Sequence, residues 1–250
     1  MTRVEIIRLT KKIGIVSPWP AIMVEDLDML VVSDLHLGLE DERESMGIHI
    51  PRTVFSKVLE YILTPVKELG CRGLLIVGDV KHEFGKPSEA EWWAVKRLFR
   101  RLRDAGCEPK VVRGNHDNYI ITVLKELDVA FYDPSITYNS VLFKHGHEVL
   151  NEDEVKAEHL IMGHEHPVVS IKDDVGLKHR FKAFLHGRLT GRKLTVLPSV
   201  SPLAYGTDVN ETHPDSRLSP ILRGLHLGEA YPFIIEPGVA VKRFPKLKYL

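Results

Sequence analysis

An α/β fold follows from three features of the sequence. Five short apolar runs each stop abruptly at a polar cluster, and two amphipathic segments with helix signals lie among them. The last third of the chain shifts to strand-like alternation broken by Gly and Pro. The 250 residues suffice for one large domain, with a motif-bearing core over about 29–197 and a Gly/Pro-rich extension over about 198–250.

The elements can be taken in chain order. Val4 to Leu9 and Ala21 to Val24 have strand character, and Ser17-Pro18-Trp19-Pro20 between them is a loop signal. Met29 to Ser33 is a buried strand ending at Asp34-Leu35-His36. Pro51 opens a helix through Val54, Phe55, Val58, Leu59 and Ile62 that should stop near Pro65. Gly73 to Val77 is the next buried strand, closing on Gly78-Asp79. Ser88 and Glu91 have the spacing of a capping box for a helix running past Trp92, Val95 and Phe99 toward Gly106. Trp92 and Trp93 are expected to pack.

Three more strands end in polar motifs: Lys110 to Arg113 before Gly114-Asn115-His116-Asp117, Val141 to Lys144 before His145-Gly146-His147, and Leu160 to Met162 before Gly163-His164-Glu165-His166. Val168 to Ile171, Phe181 to His186 and Leu194 to Leu197 then form a β-meander, with Thr190-Gly191-Arg192 as a turn. Phe233 to Glu236 and Val239 to Phe244 are the last strand candidates.

Composition narrows the function. Thirty-four Lys+Arg balance 34 Asp+Glu, so no global field draws the chain to nucleic acid or an anionic membrane. No run of eighteen apolar residues and no basic-plus-apolar leader pattern occurs, which makes a cytoplasmic protein without membrane association the expectation. Cys71 and Cys107 form no CxxC pair and are expected as buried apolar residues. Gln is absent while Glu, Lys and Arg abound, a bias that thermophiles share. Basic character is local, at 172–193 and 241–250, and the stretch 25–44 is acidic.

In α/β sheets the carboxyl ends of strands line the ligand crevice, so five strands ending in polar motifs should bring those motifs together. The set Asp34, His36, Asp79, Asn115, His116, His145, His164 and His166 offers mixed N and O donors suited to borderline divalent ions such as Mn²⁺, Fe²⁺ or Zn²⁺. That many donors oversupply one ion and suit two. A pair sharing a carboxylate clamps a phosphoryl oxygen and lowers the pKa of bridging water, which points to phosphoester hydrolysis by a bridging hydroxide. The H-x-E with P-C-x-x-C and H-E-x-x-H signatures of zinc deaminases and thermolysin-type proteases are absent.

The ordered motifs D-x-H, G-D, G-N-H-D, H-G-H and G-H-x-H resemble those of the calcineurin-like metallophosphoesterase superfamily over about residues 29–197. The resemblance implies two stacked mixed β-sheets with helices outside, a four-layer sandwich. It implies that Asp34, His36, Asp79 and His166 hold one metal and Asp79, Asn115, His145 and His164 the other, with Asp79 bridging. It further implies two divalent ions, Mn²⁺ first with Ni²⁺, Fe²⁺, Zn²⁺ or Mg²⁺ as alternatives. His116 would contact the phosphate alongside Asn115 and protonate the leaving oxygen, with Asp117 orienting it.

Gly78-Asp79-Val80-Lys81-His82 followed by Pro87-Ser88 is similar to SbcD-type DNA-repair nucleases, where the equivalent of His82 lies beside the metals and is a candidate to touch substrate. Ser201 to Asn210 and the short length resemble an archaeal SbcD-related group. Arg52 and Arg113, near motif loops, are candidates to neutralise a phosphate. The preferred substrate is a phosphodiester, including nucleotides and nucleic acid ends. The alternatives are a phosphomonoesterase, a non-catalytic scaffold of the same fold, and a nucleic-acid-binding accessory protein using residues 172–193. His147 is expected to support the site, and the remaining His to serve packing or surface roles.

Overall fold

The computed structural model describes residues 4–50 and 53–250. Pro51 and Arg52, the expected helix start and phosphate contact, lie outside the described residues, as do residues 1–3. The expected α/β class is present, with two mixed sheets, one of seven strands and one of eight, among the described residues.

The first sheet runs in sequence order: β1 (Glu5–Arg8), β2 (Ile13–Ser17), β3 (Ile22–Val24), β4 (Met29–Val32), β5 (Gly73–Val77), β6 (Glu108–Val112) and β7 (Ala130–Tyr132). β4 to β7 are parallel. Their crossovers carry α1 (Leu39–Ser45), α2 (Val54–Leu69), α3 (Glu89–Asp104) and α4 (Ile120–Glu126). The second sheet uses β8 (Ser135–Tyr138), β9 (Val141–Lys144), β10 (His159–Met162), β11 (Val168–Lys172), β12 (Lys178–Leu189), β13 (Arg192–Val196), β14 (Tyr231–Glu236) and β15 (Ala240–Arg243). There β10 lies parallel between β9 and β13.

The alternation of side chains along a strand explains the layering. In β4, Leu30 and Val32 face the helices while Met29 and Val31 face the second sheet, and in β5 Leu74 and Ile76 oppose Leu75 and Val77 in the same way. Both faces are buried, which is why these strands read as unbroken apolar runs. Phe143, Ile161 and Phe184 complete the layer between the sheets. The outer face of the second sheet is covered by the extension, through Val209, Leu222, Leu227 and Leu247. Cys71 and Cys107 are free and buried, as expected.

Three sequence expectations need correction. β2 was concealed by the loop signal at 17–20, although Ile13, Ile15 and Val16 are buried in the sheet. α2 continues through Pro65 because Ile62, Pro65 and Val66 extend its buried stripe, and the chain turns only at Gly70, with φ +64°. Burial of that last turn outweighs the one backbone hydrogen bond that Pro65 cannot donate. β7, β8 and α4 were not anticipated.

The capping box is present in full, Ser88 Oγ accepting from Glu91 N at 3.1 Å and the Glu91 carboxylate from Ser88 N at 3.0 Å. The basic stretch 172–193 is the β11–β12–β13 meander, and several of its charges are already paired: Lys178 with Glu211, Arg180 with Asp208 and His179 with Asp173. That pairing weakens the accessory nucleic-acid reading of this segment.

Candidate metal centre

The carboxyl ends of β4, β5 and β6 in one sheet and of β9 and β10 in the other converge at one edge of the sandwich. Beyond β4 and β5 the two loops stay zipped, Asp34 N–H donating to Gly78 O and His36 N–H to Asp79 O, each at 3.0 Å. Turning five side chains into one small volume takes unusual backbone. Asp34, His36, Asp79, His164 and His166 all have positive φ, between +43° and +66°. Such conformations are costly for residues with a Cβ and persist where the surroundings over-determine them, which is characteristic of functional sites.

Glycines make the close approach possible. A Cβ on Gly114 would stand 2.1 Å from Asp79 Oδ1, and one on Gly78, at φ +84°, would stand 2.2 Å from His145 Nδ1.

Three overlapping donor groups result, one of them His36, His82 and His116, while the other two share a carboxylate. Asp34, His36, Asp79 and His166 offer ligand atoms all within 4.8 Å of one another, and so do Asp79, His145 and His164. Asp79 belongs to both. Its Oδ1 is held by the backbone N–H of His116 at 2.9 Å. Its Oδ2 faces His145 Nε2 at 3.2 Å, His36 Nε2 at 3.7 Å and His116 Nε2 at 4.0 Å. Asn115 Oδ1 lies 3.1 Å from His145 Nε2, which brings the fourth expected donor into the second group. Asp34 Oδ1 is 2.9 Å from His166 Nε2, and His36 Nε2 is 3.3 Å from His166 Nε2.

The donor chemistry fits divalent cations. His145 Nδ1–H donates to Val77 O at 3.0 Å, which leaves Nε2 as the nitrogen turned to Asp79 and Asn115 and available to a cation once its proton is lost. A ring N–H given to a backbone carbonyl is the usual way a ligating histidine is oriented. Convergent imidazole nitrogens such as His36 Nε2 and His166 Nε2 gain most from a shared cation.

Electrostatics agree. Burial favours the neutral acids, yet His145 and His36 hold Asp79 well below the usual carboxylate range, and His166 and His145 hold Asp34 at about 2. Burial opposes charge on His145, but Asp79 and Asp34 hold it up at about 10. Burial pushes His36 down to about 3 and His164 to about 4. Two buried carboxylates thus collect positive charge from whatever neighbour can supply it.

The remaining predicted residues divide. His116 is at the centre, its Nδ1–H donating to the carbonyl of His82, and burial lowers its pKa. His82 lies beside it with rings stacked at 5.2 Å, its Nδ1 3.2 Å from His36 Nδ1. Asp117 does not touch the His116 ring as expected. Its Oδ2 accepts from Asp79 N at 2.8 Å and Gly114 N at 2.9 Å, and its Oδ1 from Val80 N at 2.9 Å. It therefore pins the two loops together. Burial and the Asp79 charge push it up to about 6 against the pull of those amides. Arg113, expected on a phosphate, is paired with Asp133 at 3.0 Å and with Asn118 Oδ1 at 3.3 Å. His147 stands near His145 and His164, with ring centroids 5.3 and 6.1 Å away.

Sequence reasoning missed several supports. Glu91, besides capping α3, accepts from His82 N at 3.2 Å and Glu83 N at 2.8 Å. Glu42 on α1 lies 2.9 Å from His82 Nε2. The extension reaches the site too: Ser199 Oγ donates to Asp34 O at 2.7 Å, and the buried Lys182 amine donates to the carbonyls of Ser199 and Ser201. Burial pulls Lys182 down to about 7. Glu165, between the two site histidines, accepts from Leu218 N and Ser219 N.

No family model matches the chain. The uncharacterized metallophosphoesterase YhaO of Bacillus subtilis (strain 168) is 29% identical over 104 residues, 38% of this chain. The chain spans about a quarter of that relative's length. The crystal structure of Pseudomonas putida nuclease MPE superposes with a TM-score of 0.64 at 18% identity, over 97% of this chain and 100% of that one. Yfce, a phosphoesterase from E. coli, gives 0.40 at 17% identity over 86% and 97%. The likeness to nuclease MPE establishes the fold, two mixed sheets flanked by helices in the metallophosphoesterase arrangement. A metallophosphoesterase-like fold carrying an Asp/His cluster able to bind metal is the class that fold and site define. No helix among the described residues is long and apolar enough to cross a membrane.

Proposed function

We propose that this chain is a dinuclear metal-dependent phosphoester hydrolase of the calcineurin-like superfamily, acting on phosphodiesters of nucleotides or nucleic acid ends. One observation carries the proposal: Asp79 belongs to two donor groups at once, with its Oδ2 facing His36 of one and His145 of the other, the arrangement a shared carboxylate needs. The five-motif resemblance, the fold shared with nuclease MPE and the likeness to YhaO support it. The similarity around His82 to SbcD-type nucleases favours diesters. No superfamily donor is replaced, which weighs against the scaffold alternative.

Asp34, His36, Asp79 and His166 would hold one ion and Asp79, Asn115, His145 and His164 the second; the donor set suits Mn²⁺, Fe²⁺ or Zn²⁺, and the resemblance puts Mn²⁺ first. Bound divalent ions supply Lewis acidity toward a phosphoryl oxygen and lower the pKa of water. The protein's own groups do the rest. Val77 O fixes the tautomer of His145, and the His116 backbone N–H fixes the Asp79 carboxylate. In the imidazolium form, whose charge Asp79 favours against burial, His116 would give its Nε2 proton to the leaving oxygen while Nδ1–H stays on His82 O, a role worth about 10²–10⁴-fold. His82, its Nε2 paired with Glu42, would contact the substrate.

The test is hydrolysis of bis-p-nitrophenyl phosphate and p-nitrophenyl phosphate by chelator-stripped protein, with Mn²⁺, Ni²⁺, Zn²⁺ or Mg²⁺ restored singly. Diester turnover that requires metal and falls at least 100-fold in His116→Ala is expected. Monoester turnover alone establishes a phosphomonoesterase instead, and silence with metal bound returns the scaffold.

A further inference from the structure

A cleft of about 440 Å³ opens beside the cluster, lined by Phe84, Arg113, Asn118, Tyr119, Ile121 and Asp133 among others. It lies in the size range of small-molecule sites. Its link to the chemistry is direct, because the Phe84 ring packs on the His116 ring with centroids 3.7 Å apart.

The placement of its aromatics is costly and fixed. Phe84 is 53% exposed, yet the backbone around it is pinned on both sides. The fully buried Lys81 donates to Glu83 O, Glu83 N donates to Glu91, and Asn118 Nδ2 donates to Phe84 O at 3.4 Å. Tyr119 is 61% exposed and has φ +67°, a conformation that a bulky side chain adopts at a price in strain. The Arg113 guanidinium lines the same cleft, oriented by Asp133 and Asn118. Two exposed aromatics sharing a cleft with a planar cation and an amide make a stacking platform with hydrogen-bonding edges. Bases stack on such platforms with little sequence preference.

We infer that the Phe84–Tyr119–Arg113 cleft is a nucleobase subsite, holding the base of a nucleoside whose phosphate sits at the metal cluster. The inference rests on the phosphoester reading and deepens it by giving the base of a nucleotide substrate a place to bind. It also gives Arg113 a role at the base in place of the phosphate.

Calorimetric titration of the Mn²⁺-loaded protein with AMP and with inorganic phosphate tests it, on wild type, Phe84→Leu, Tyr119→Leu and the double variant. One stacked base is expected to make AMP bind about fivefold to a hundredfold more tightly than phosphate. That advantage should fall below about twofold in the double variant, with circular dichroism and phosphate affinity retained. Equal binding of AMP and phosphate, or an advantage that survives both substitutions, overturns the subsite and leaves the phosphoester reading intact. If neither ligand binds, the subsite fails, and the p-nitrophenyl ester assay alone decides the phosphoester reading. Should the aromatics instead cover an interface between copies of this chain, sedimentation will show an oligomer that the double variant dissolves, with no effect on AMP; that result also overturns the subsite.

Discussion

Replacing Asp117 by Ala separates a loop-pinning role from an acid–base role. The carboxylate accepts three buried backbone N–H groups, from Asp79, Val80 and Gly114, at 2.8 to 2.9 Å. An orphaned buried donor costs about 1–3 kcal/mol, so the variant should lose roughly 3–6 kcal/mol once some relaxation is allowed. For a chain of this size each kcal/mol corresponds to about 2–4 °C in Tm, which places the expected fall at roughly 6–24 °C. Asp117→Asn keeps one carbonyl oxygen but turns an NH₂ toward a third donor, and should fall about half as far. Because Asp79 N is one of the three donors, activity should decline together with stability. Differential scanning calorimetry alongside metal-dependent hydrolysis checks this. A Tm within about 2 °C of wild type with activity lost would refute the pinning role and return Asp117 to the chemistry of His116.

Further predictions follow from the same geometry. Gly114→Ala drives a Cβ to 2.1 Å from Asp79 Oδ1 and 2.3 Å from Asp79 N, so Asp79 must move; bound metal measured by mass spectrometry should drop below two per chain, and turnover at least about 100-fold. Divalent metal at about 100 times its Kd should raise stability by about 2.7 kcal/mol, seen as a rise in Tm that chelator reverses and Asp79→Asn diminishes. Burial holds His159 down to about 3, with Nε2 2.8 Å from Thr195 Oγ1, whereas the unfolded chain protonates it near 6.5. The unfolded state therefore binds the extra proton between those values, and stability is lost as pH falls below about 6.5, by about 1.4 kcal/mol per pH unit. Urea unfolding of His159→Leu should show an acid limb shallower by that slope, and parallel limbs would exclude the effect.

The strand-end motifs were legible because each is local: an apolar run, a glycine, then Asp, Asn or His at the carboxyl edge. Convergence followed from the general rule for α/β sheets and the resemblance, and the structure brings Asp34, His36, Asp79, Asn115, His116, His145, His164 and His166 together. What stayed hidden depends on approach between distant segments. Glu91 displayed its capping function in sequence, but its grip on His82 N and Glu83 N exists only once α3 is docked. Lys182 lay within a stretch that looked like basic surface, yet it is buried beneath Ser199 and Ser201, behind the Asp34 loop. Pro65 misled because a local penalty was outweighed by a buried face. Tyr119 carried no motif, and its exposed, left-handed placement could be read only from the structure.

Equilibrium dialysis of chelator-stripped protein against Mn²⁺, with bis-p-nitrophenyl phosphate hydrolysis followed at each level of loading, probes the paired site most directly. Two ions bound per chain, with diester turnover rising as the second binds and Asp79→Asn abolishing the pair, is the result expected from a shared Asp79 Oδ2. Binding of one ion or none, or full turnover in metal-free protein, would contradict it.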